Sequence, residues 1–362
     1  MTEPRASLPF LYGRWIGALV DGPIPAETHA TCAECAMCRP AEARLPSRIY
    51  FEPETKCCTY LPELPNYLVG GVLTDPHTHP HGRASLEVRI DAGVRVTPLG
   101  VGIPGPIELL LRNESGAFGR ARGLRCPHYV ADQGLCGIRD HCGAACTTYF
   151  CKHVRGAAGF EFWEAVKELL FAAQRTLSLW CVGEVGLEDT VVESLLRHEP
   201  ASVDAAAIDE SETEARRCAT WGSWRGRERE FYRECAERVA PMEWSDVRRL
   251  GGAELELHER VVKMRWQRLT SPDIPRRLRA LPHEVVSRGP KTVTVNSYRG
   301  TDPLELTRGL YDLLPAFDGR PTDEVIAGIA RERGFPPARD HLRELWDFRL
   351  LGEDDGLRAS DR

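Results

Sequence analysis

The chain has 362 residues, 42% of them hydrophobic and 28% charged, with 47 Lys and Arg against 53 Asp and Glu for a formal net charge of −6. That length is enough for more than one apolar core, the acidic balance argues against an obligate polyanionic partner, and no run approaches the roughly 18 apolar residues of a membrane span. Thirteen cysteines stand out: too sparse for a disulfide-stapled miniprotein and too many for an ordinary enzyme of the reducing cytosol.

Met1 to Arg5 carries an acid and no long apolar core follows, so the N-terminus does not read as a secretory signal and a cytoplasmic location is expected. Leu8 to Ile16, apolar and aromatic, is expected to pack on a cysteine domain. Ten of the thirteen cysteines lie between Cys32 and Cys151, which in a reducing compartment points to metal or redox chemistry. The first group is Cys32, Cys35 and Cys38 in C-x2-C-x2-C spacing, then the adjacent Cys57 and Cys58. C-x2-C turns bring two thiolates to one ion and leave backbone N–H groups free to donate to sulfur. Neighbouring residues point different ways, so Cys57 and Cys58 are expected to serve different centres, unless one is a packing residue.

Residues 59–73 suggest a helix. His77, His79 and His81 alternate in a Pro-bounded segment, read as an exposed loop, with a second ion site on a strand face as the alternative. Leu86, Val88 and Ile90, then Val94 and Val96, read as a hairpin with Gly93 near its turn, followed by a loop over Gly100–Pro106. The second cysteine group is Cys126, Cys136, Cys146 and Cys151, in C-x9-C-x9-C-x4-C spacing. His128 and His153 are read either as donors near the ligands or as surface histidines, and Cys142 as a bystander. Nine candidate metal ligands result, one more than two four-thiolate centres require. All-sulfur ligation suits zinc and iron–sulfur clusters alike. The absence of C-x2-C from the second group, and its Tyr129, Ile138, Tyr149 and Phe150 filling, favour an iron–sulfur cluster, with zinc as the alternative.

The array C-x2-C-x2-C, Cys57-Cys58, Cys126-Pro127, Cys136-Gly137-Ile138 and Cys146-x4-Cys151 resembles the YkgJ-type cysteine-cluster family, described as a zinc- or iron-chelating domain. The resemblance covers roughly residues 30–155. It implies metal binding, often assigned as an iron–sulfur cluster. Family members place the cysteine pair directly after the third cysteine, whereas here residues 39–56 intervene, which leaves open which of Cys38, Cys57 and Cys58 ligate. Some flagellin lysine-N-methylases carry a similar array, the one enzymatic precedent.

Phe162, Val166, Leu169, Leu170 and Ala173 form a core-facing helical stripe. The acid-rich stretch 197–220 reads as a linker. Helices follow near Arg227–Val239 and Glu254–Leu269, the latter with Leu257, Val261, Val262 and Trp266 on a common side, and Trp221 and Trp224 read as core anchors. After Ser271–Pro275 come a strand at Thr292–Val295 and helices near 303–315, 321–333 and 336–347. This unit resembles a winged-helix or PqqD-like module, which implies docking of a protein or peptide partner. Basic and acidic residues in 270–362 number 15 and 16, and the third helix carries Asp340, Glu344 and Asp347, so nucleic acid is not the expected partner. The expected class is α+β, mostly helical: a metal-binding domain over 1–160, a helical region over 161–270, a winged-helix-like domain over 271–352 and a disordered tail over 353–362. No dinucleotide, P-loop, nucleophile-elbow or zincin motif is present, so no catalytic residue is named. Three functions compete: an iron–sulfur protein acting in redox or protein modification, a zinc-stabilised scaffold, and a metal-dependent lysine methylase-like enzyme.

Overall fold

The structure, a computed structural model, describes residues 8–24, 35–38, 49–113, 115–197 and 220–354. It is α+β, with 54% helix and small antiparallel sheets. The expected 197–220 linker lies outside the described residues apart from Arg197 and Thr220, as does the expected tail beyond Asp354.

Helix α1 (Phe10–Leu19) buries Tyr12, Trp15, Ile16 and Leu19, an i, i+3, i+4, i+7 stripe. Trp15 donates its indole N–H to the Met242 carbonyl at 2.9 Å, and Gln174 donates to the Tyr12 hydroxyl at 2.6 Å. The expected helix over 59–73 starts later, because Leu64–Pro65 forms strand β1 before α2 (Asn66–Thr74). Asn66 to Leu73 are all buried, and Asn66 offsets its burial by donating to the carbonyls of Pro98 and Ser178. Gly70 permits this depth: a Cβ there would lie 1.9 Å from the Tyr232 carbonyl oxygen.

The expected hairpin at 86–96 is instead helix α3 (Pro80–Ala92). Leu86 and Ile90 fit a four-residue period as well as a two-residue one, so the end signals decide. Pro80 occupies the first turn, the His79 ring accepts from the His81 N–H, and Gly93 closes the helix at φ 74°. Val88 points to solvent, 67% exposed. Strands β2 (Val96–Thr97) and β3 (Gly100–Val101) then pair with each other, and β3 also pairs with β1. The expected loop to Pro106 is cut short by β3 and by α4 (Gly105–Asn113). Strands β4 (Tyr129–Val130) and β5 (Leu135–Cys136) form a small hairpin, followed by the short α5 (Ala144–Thr147).

Helix α6 (Gly156–Glu184) is the long spine, and its Phe162, Val166, Leu169, Leu170 and Ala173 are buried as the stripe predicts. Helix α7 (Asp189–Arg197) follows, then α8 (Glu228–Val239) and α9 (Trp244–Thr270), the last kinked where Gly252 adopts φ 54°. On α9 the core-facing side is Leu255, Val262, Trp266 and Leu269, while Leu257 is 63% exposed. Two residues past Leu255 is about 200° around the helix, which carries Leu257 off the stripe. Trp221 and Trp224 are buried edge-on against Phe231. One apolar core joins α1, α2, α3, α6, α8 and α9, so the expected boundary at 160 falls inside a shared core.

Residues from Ile274 to Leu351 form a second core. Strands β6 (Arg277–Ala280), β7 (Glu284–Arg288), β8 (Thr292–Asn296), β9 (Leu304–Thr307), β10 (Asp318–Pro321) and β11 (Leu351–Glu353) make two antiparallel sheets, β7–β8–β9 and β10–β6–β11. Helices α10 (Arg308–Tyr311), α11 (Thr322–Arg333) and α12 (Arg339–Asp347) pack with them. The expected helix over 303–315 is instead strand β9 followed by the short α10 and a turn: Leu306 is buried beside Val293 of β8, and Thr307 caps α10 by accepting from the Leu310 N–H. This module is fastened to the helical spine at Asp347, 2% exposed, where Arg155 (2.5 Å), Arg268 (3.2 Å) and Arg343 (3.1 Å) converge.

Candidate metal centre

The two cysteine groups line one cavity of about 570 Å³. Cys35 and Cys57 reach it from the first group together with Cys58; Cys126, Cys136, Cys146 and Cys151 reach it from the second. Cys142, read from the sequence as a bystander, also lines it, 1% exposed. The missed signal is its Cys142-x3-Cys146 spacing, one helical turn, across the start of α5. Cys38 sits behind Cys35 and Cys57 and feels both. Cys32 lies outside the described residues. Cys181 and Cys235 are buried in the helical core and do not line the cavity, and Cys218 is outside the described residues. All described cysteines are free thiols.

Local backbone bonds bring the segments together. The Cys35–Cys38 turn is closed by the Cys38 N–H donating to the Cys35 carbonyl at 3.0 Å, and Phe51 N–H bonds the Met37 carbonyl at 2.8 Å. Lys56, at φ 49°, turns the chain into Cys57 and Cys58. Cys126 N–H then donates to the Cys58 carbonyl at 2.7 Å, joining the two groups directly. Pairing of Tyr129 with Cys136 positions the latter, and Arg139 donates to the Cys146 carbonyl at 2.9 Å. The sulfurs of Cys126 and Cys136 each accept a backbone N–H two residues on, from His128 and Ile138. Such N–H to sulfur bonds stabilise thiolates and metal-bound sulfur.

The array has two sides. Cys35, Cys57 and Cys151 pack with Met37, Phe51, Phe118 and Tyr149. Cys58 and Cys126 pack with Leu61, Ile103, Ile107 and Leu111. Cys136, Cys142 and Cys146 lie within one another's fields, and Cys126 lies in those of Cys136 and Cys146. Cys57 and Cys58 face these different sides, yet their thiols also hydrogen-bond each other, so the pair is the junction of the array and is not splayed apart.

Burial pushes the thiols of Cys38 and Cys126 up to about 11, and it raises Cys136, Cys146 and Cys151 further, helped by neighbouring sulfurs. Cys57 is the exception, lowered to about 7 by its bond with Cys58 and by Arg139 and Lys56. Without a cation the sulfurs other than that of Cys57 hold one another neutral; a bound cation would reverse that balance. Lys56, Arg139, Lys167 and Arg299 also line the cavity, and among the described residues its one lining carboxylate, Glu164, is paired with Lys167 at 2.5 Å. That surround suits a net-anionic, thiolate-ligated group. Among the described residues, no three His, Cys, Asp or Glu side chains stand close enough to hold an ion as placed; the sulfurs border a cavity and do not meet at a point.

The histidines take other parts. His77 is exposed, while His79 faces Gln133 at 3.3 Å and His81 faces the Pro127 carbonyl at 2.9 Å, so the three do not share a strand face. Neither His128 nor His153 is a surface residue. His153 meets Asp302, and His128 meets Ser85 at 2.8 Å and Arg89 at 3.4 Å. Burial, with Arg89 and His81 nearby, lowers His128 from 6.5 to about 3. The unfolded chain therefore takes up this proton first. His128 contributes its full stability above about pH 6.5 and loses it as pH falls toward 3, about 3 kcal/mol between pH 7 and pH 4. Urea unfolding at the two pH values is expected to show a smaller acid loss in His128→Gln than in the parent; equal losses would assign the acid sensitivity elsewhere.

Comparison of the chain with family models, with curated proteins and with solved structures finds no match.

Proposed function

We propose that the chain is a cytoplasmic metalloprotein whose cysteine cavity holds one or two thiolate-ligated iron–sulfur centres, acting in redox chemistry or in modification of a bound protein. The observation that carries this reading is the gathering of both cysteine groups around one cation-lined cavity, with backbone N–H groups already donating to Cys126 and Cys136. The two-sided packing supports two ligand sets meeting at the Cys57–Cys58 peptide. One is Cys35, Cys38, Cys57 and Cys151, with Cys32 beside them in the sequence. The other is Cys58, Cys126, Cys136 and Cys146, with Cys142 as the added candidate. The array resembles that of the YkgJ-type cysteine-cluster family, apart from the residues 39–56 that separate the cysteine pair from the third cysteine. The cavity of about 570 Å³ leaves room for a polynuclear group, where a lone zinc ion would gather four sulfurs at about 2.3 Å.

Such a group supplies one-electron transfer at a potential set by its surroundings. The chain's own residues do the rest. Phe51, Phe118, Tyr149 and Ile103 exclude water, while Lys56, Arg139 and Arg299 offset thiolate charge. The C-terminal module, whose sequence resembles a winged-helix or PqqD-like unit, is proposed to dock a protein or peptide partner. The test is metal and acid-labile sulfide analysis of anaerobically purified protein, with an electron paramagnetic resonance spectrum after reduction. Iron with matching sulfide and a reduced-state signal are expected. Zinc in colourless protein would turn the reading to a zinc-stabilised scaffold, and protein free of both metals would overturn it.

A further inference from the structure

The cavity is not built from the cysteine segments alone. Arg299 and Thr301, in the β8–β9 loop of the C-terminal module, complete its lining. Arg299 donates to the Phe150 carbonyl at 2.9 Å, and its guanidinium lies 4.9 Å from the Tyr149 ring centre and 5.4 Å from that of Phe160. Asp302, 5% exposed, accepts the His153 backbone N–H at 2.9 Å and the Tyr298 hydroxyl. Lys152 donates to the Thr301 carbonyl at 3.3 Å. The loop therefore holds the chain on both sides of Cys151.

We infer that the segment Tyr298–Asp302 is a gate operated by the C-terminal module, with Arg299 and Asp302 as positioning residues that set access to the Cys35, Cys57 and Cys151 side of the cavity. The gate closes through hydrogen bonds, the cations of Arg299 and Lys152 and the Asp302 carboxylate, while the Tyr298 ring at its start packs on Phe160 and Phe348. Water can replace the polar contacts of Arg299 and Thr301 at modest cost, while Tyr298 stays anchored as the fixed end. The loop has no core of its own, and Gly300 at its tip is exposed with open space around it. Its ends run directly into β8 and β9, and β9 is an edge strand of its sheet. A partner engaging the module near β9 would act two residues from Asp302, so docking and access to Cys151 would be linked. The inference rests on the metal reading only for what is being shielded; the access itself concerns thiols present in either case.

The test uses the full chain, both as purified and after metal removal under reductant. Iodoacetamide labelling is read at each cysteine by mass spectrometry, and metal release is read by loss to excess EDTA. In the metal-free protein, Arg299→Gln and Asp302→Ala are expected to speed labelling of Cys151 about tenfold, with Cys126 and Cys181 unchanged, while Arg299→Lys retains the parent rate. In metal-loaded protein Asp302→Ala is expected to release metal faster at unchanged initial content. Equal labelling of Cys151 in parent and variants overturns the gate, and so does a uniform rise at every cysteine, which would report general loosening. Protein that carries no metal as purified would defeat the functional proposal, yet its labelling pattern would still decide the gate.

Discussion

Replacing Asp347 with alanine is expected to destabilise the protein by about 2–3 kcal/mol, because it leaves the buried Arg343 and the partly buried Arg155 and Arg268 uncompensated. The carboxylate is 2% exposed and receives Arg155, Arg268 and Arg343, the last only 8% exposed. The guanidiniums keep some partners without it. Arg155 donates to the Leu269 carbonyl, and Arg343 to those of Asp273 and Arg268, where the C-terminal end of α9 offers negative potential. Those bonds do not cancel three positive charges, and burial already presses Arg268 below its usual range with Asp347 in place. Asp347→Asn, which keeps one acceptor oxygen and loses the charge, is expected to fall between the parent and the alanine variant. The loss should appear as a lower melting temperature and as faster proteolysis between Ser271 and Pro275, where the module joins α9. An alanine variant that melts with the parent would show that the carbonyls alone suffice.

Cys146→Ser is expected to have the larger functional effect: loss of one metal centre and destabilisation of residues 30–155. Cys146 is buried among Cys142, Cys136, Cys126 and Cys57, so serine there removes a proposed ligand from the middle of the array. Metal binding to such a site is coupled to folding, and a three-sulfur remnant recovers only part of that free energy. With two centres present, iron and sulfide per chain are expected to fall by about half, and with one centre to vanish. Cys181→Ser is the control, since that thiol lies in the helical core beside the Cys235 carbonyl. Unchanged metal in Cys146→Ser, or lost metal in Cys181→Ser, would contradict the assignment. Cys142→Ser then shows whether the cysteine that spacing overlooked is a ligand or a neighbour.

Much of this arrangement is legible along the chain. The α6 stripe and the Trp221 and Trp224 anchors follow from period and side-chain size, and the cysteine segments declare themselves by spacing. Other parts are not, for identifiable reasons. Leu86, Val88 and Ile90 satisfy two periods at once, and Pro80 and Gly93 settle the matter only when read as helix ends. Thr307 reads as helix until its capping bond fixes where strand gives way to α10. Arg299 joins the site from a distant stretch of sequence by a loop contact that no local pattern encodes. The cavity's balance of charge is likewise a property of the folded chain.

Cys151, Lys152, His153 and Arg155 occupy a single short stretch, and Gly156, at φ 50°, then turns it against Phe348 into α6. The stretch grips the C-terminal module at two separated places, the Tyr298–Asp302 loop and Asp347. A fragment ended at residue 270 would therefore lose more than a recruiting appendage. It would strip Arg299 from the rim, bare the aromatic faces of Tyr149 and Phe160, and leave Arg155 and Arg268 without their carboxylate. Dissecting this protein into halves is thus expected to misreport the cysteine half, whose native form is defined only in the intact chain.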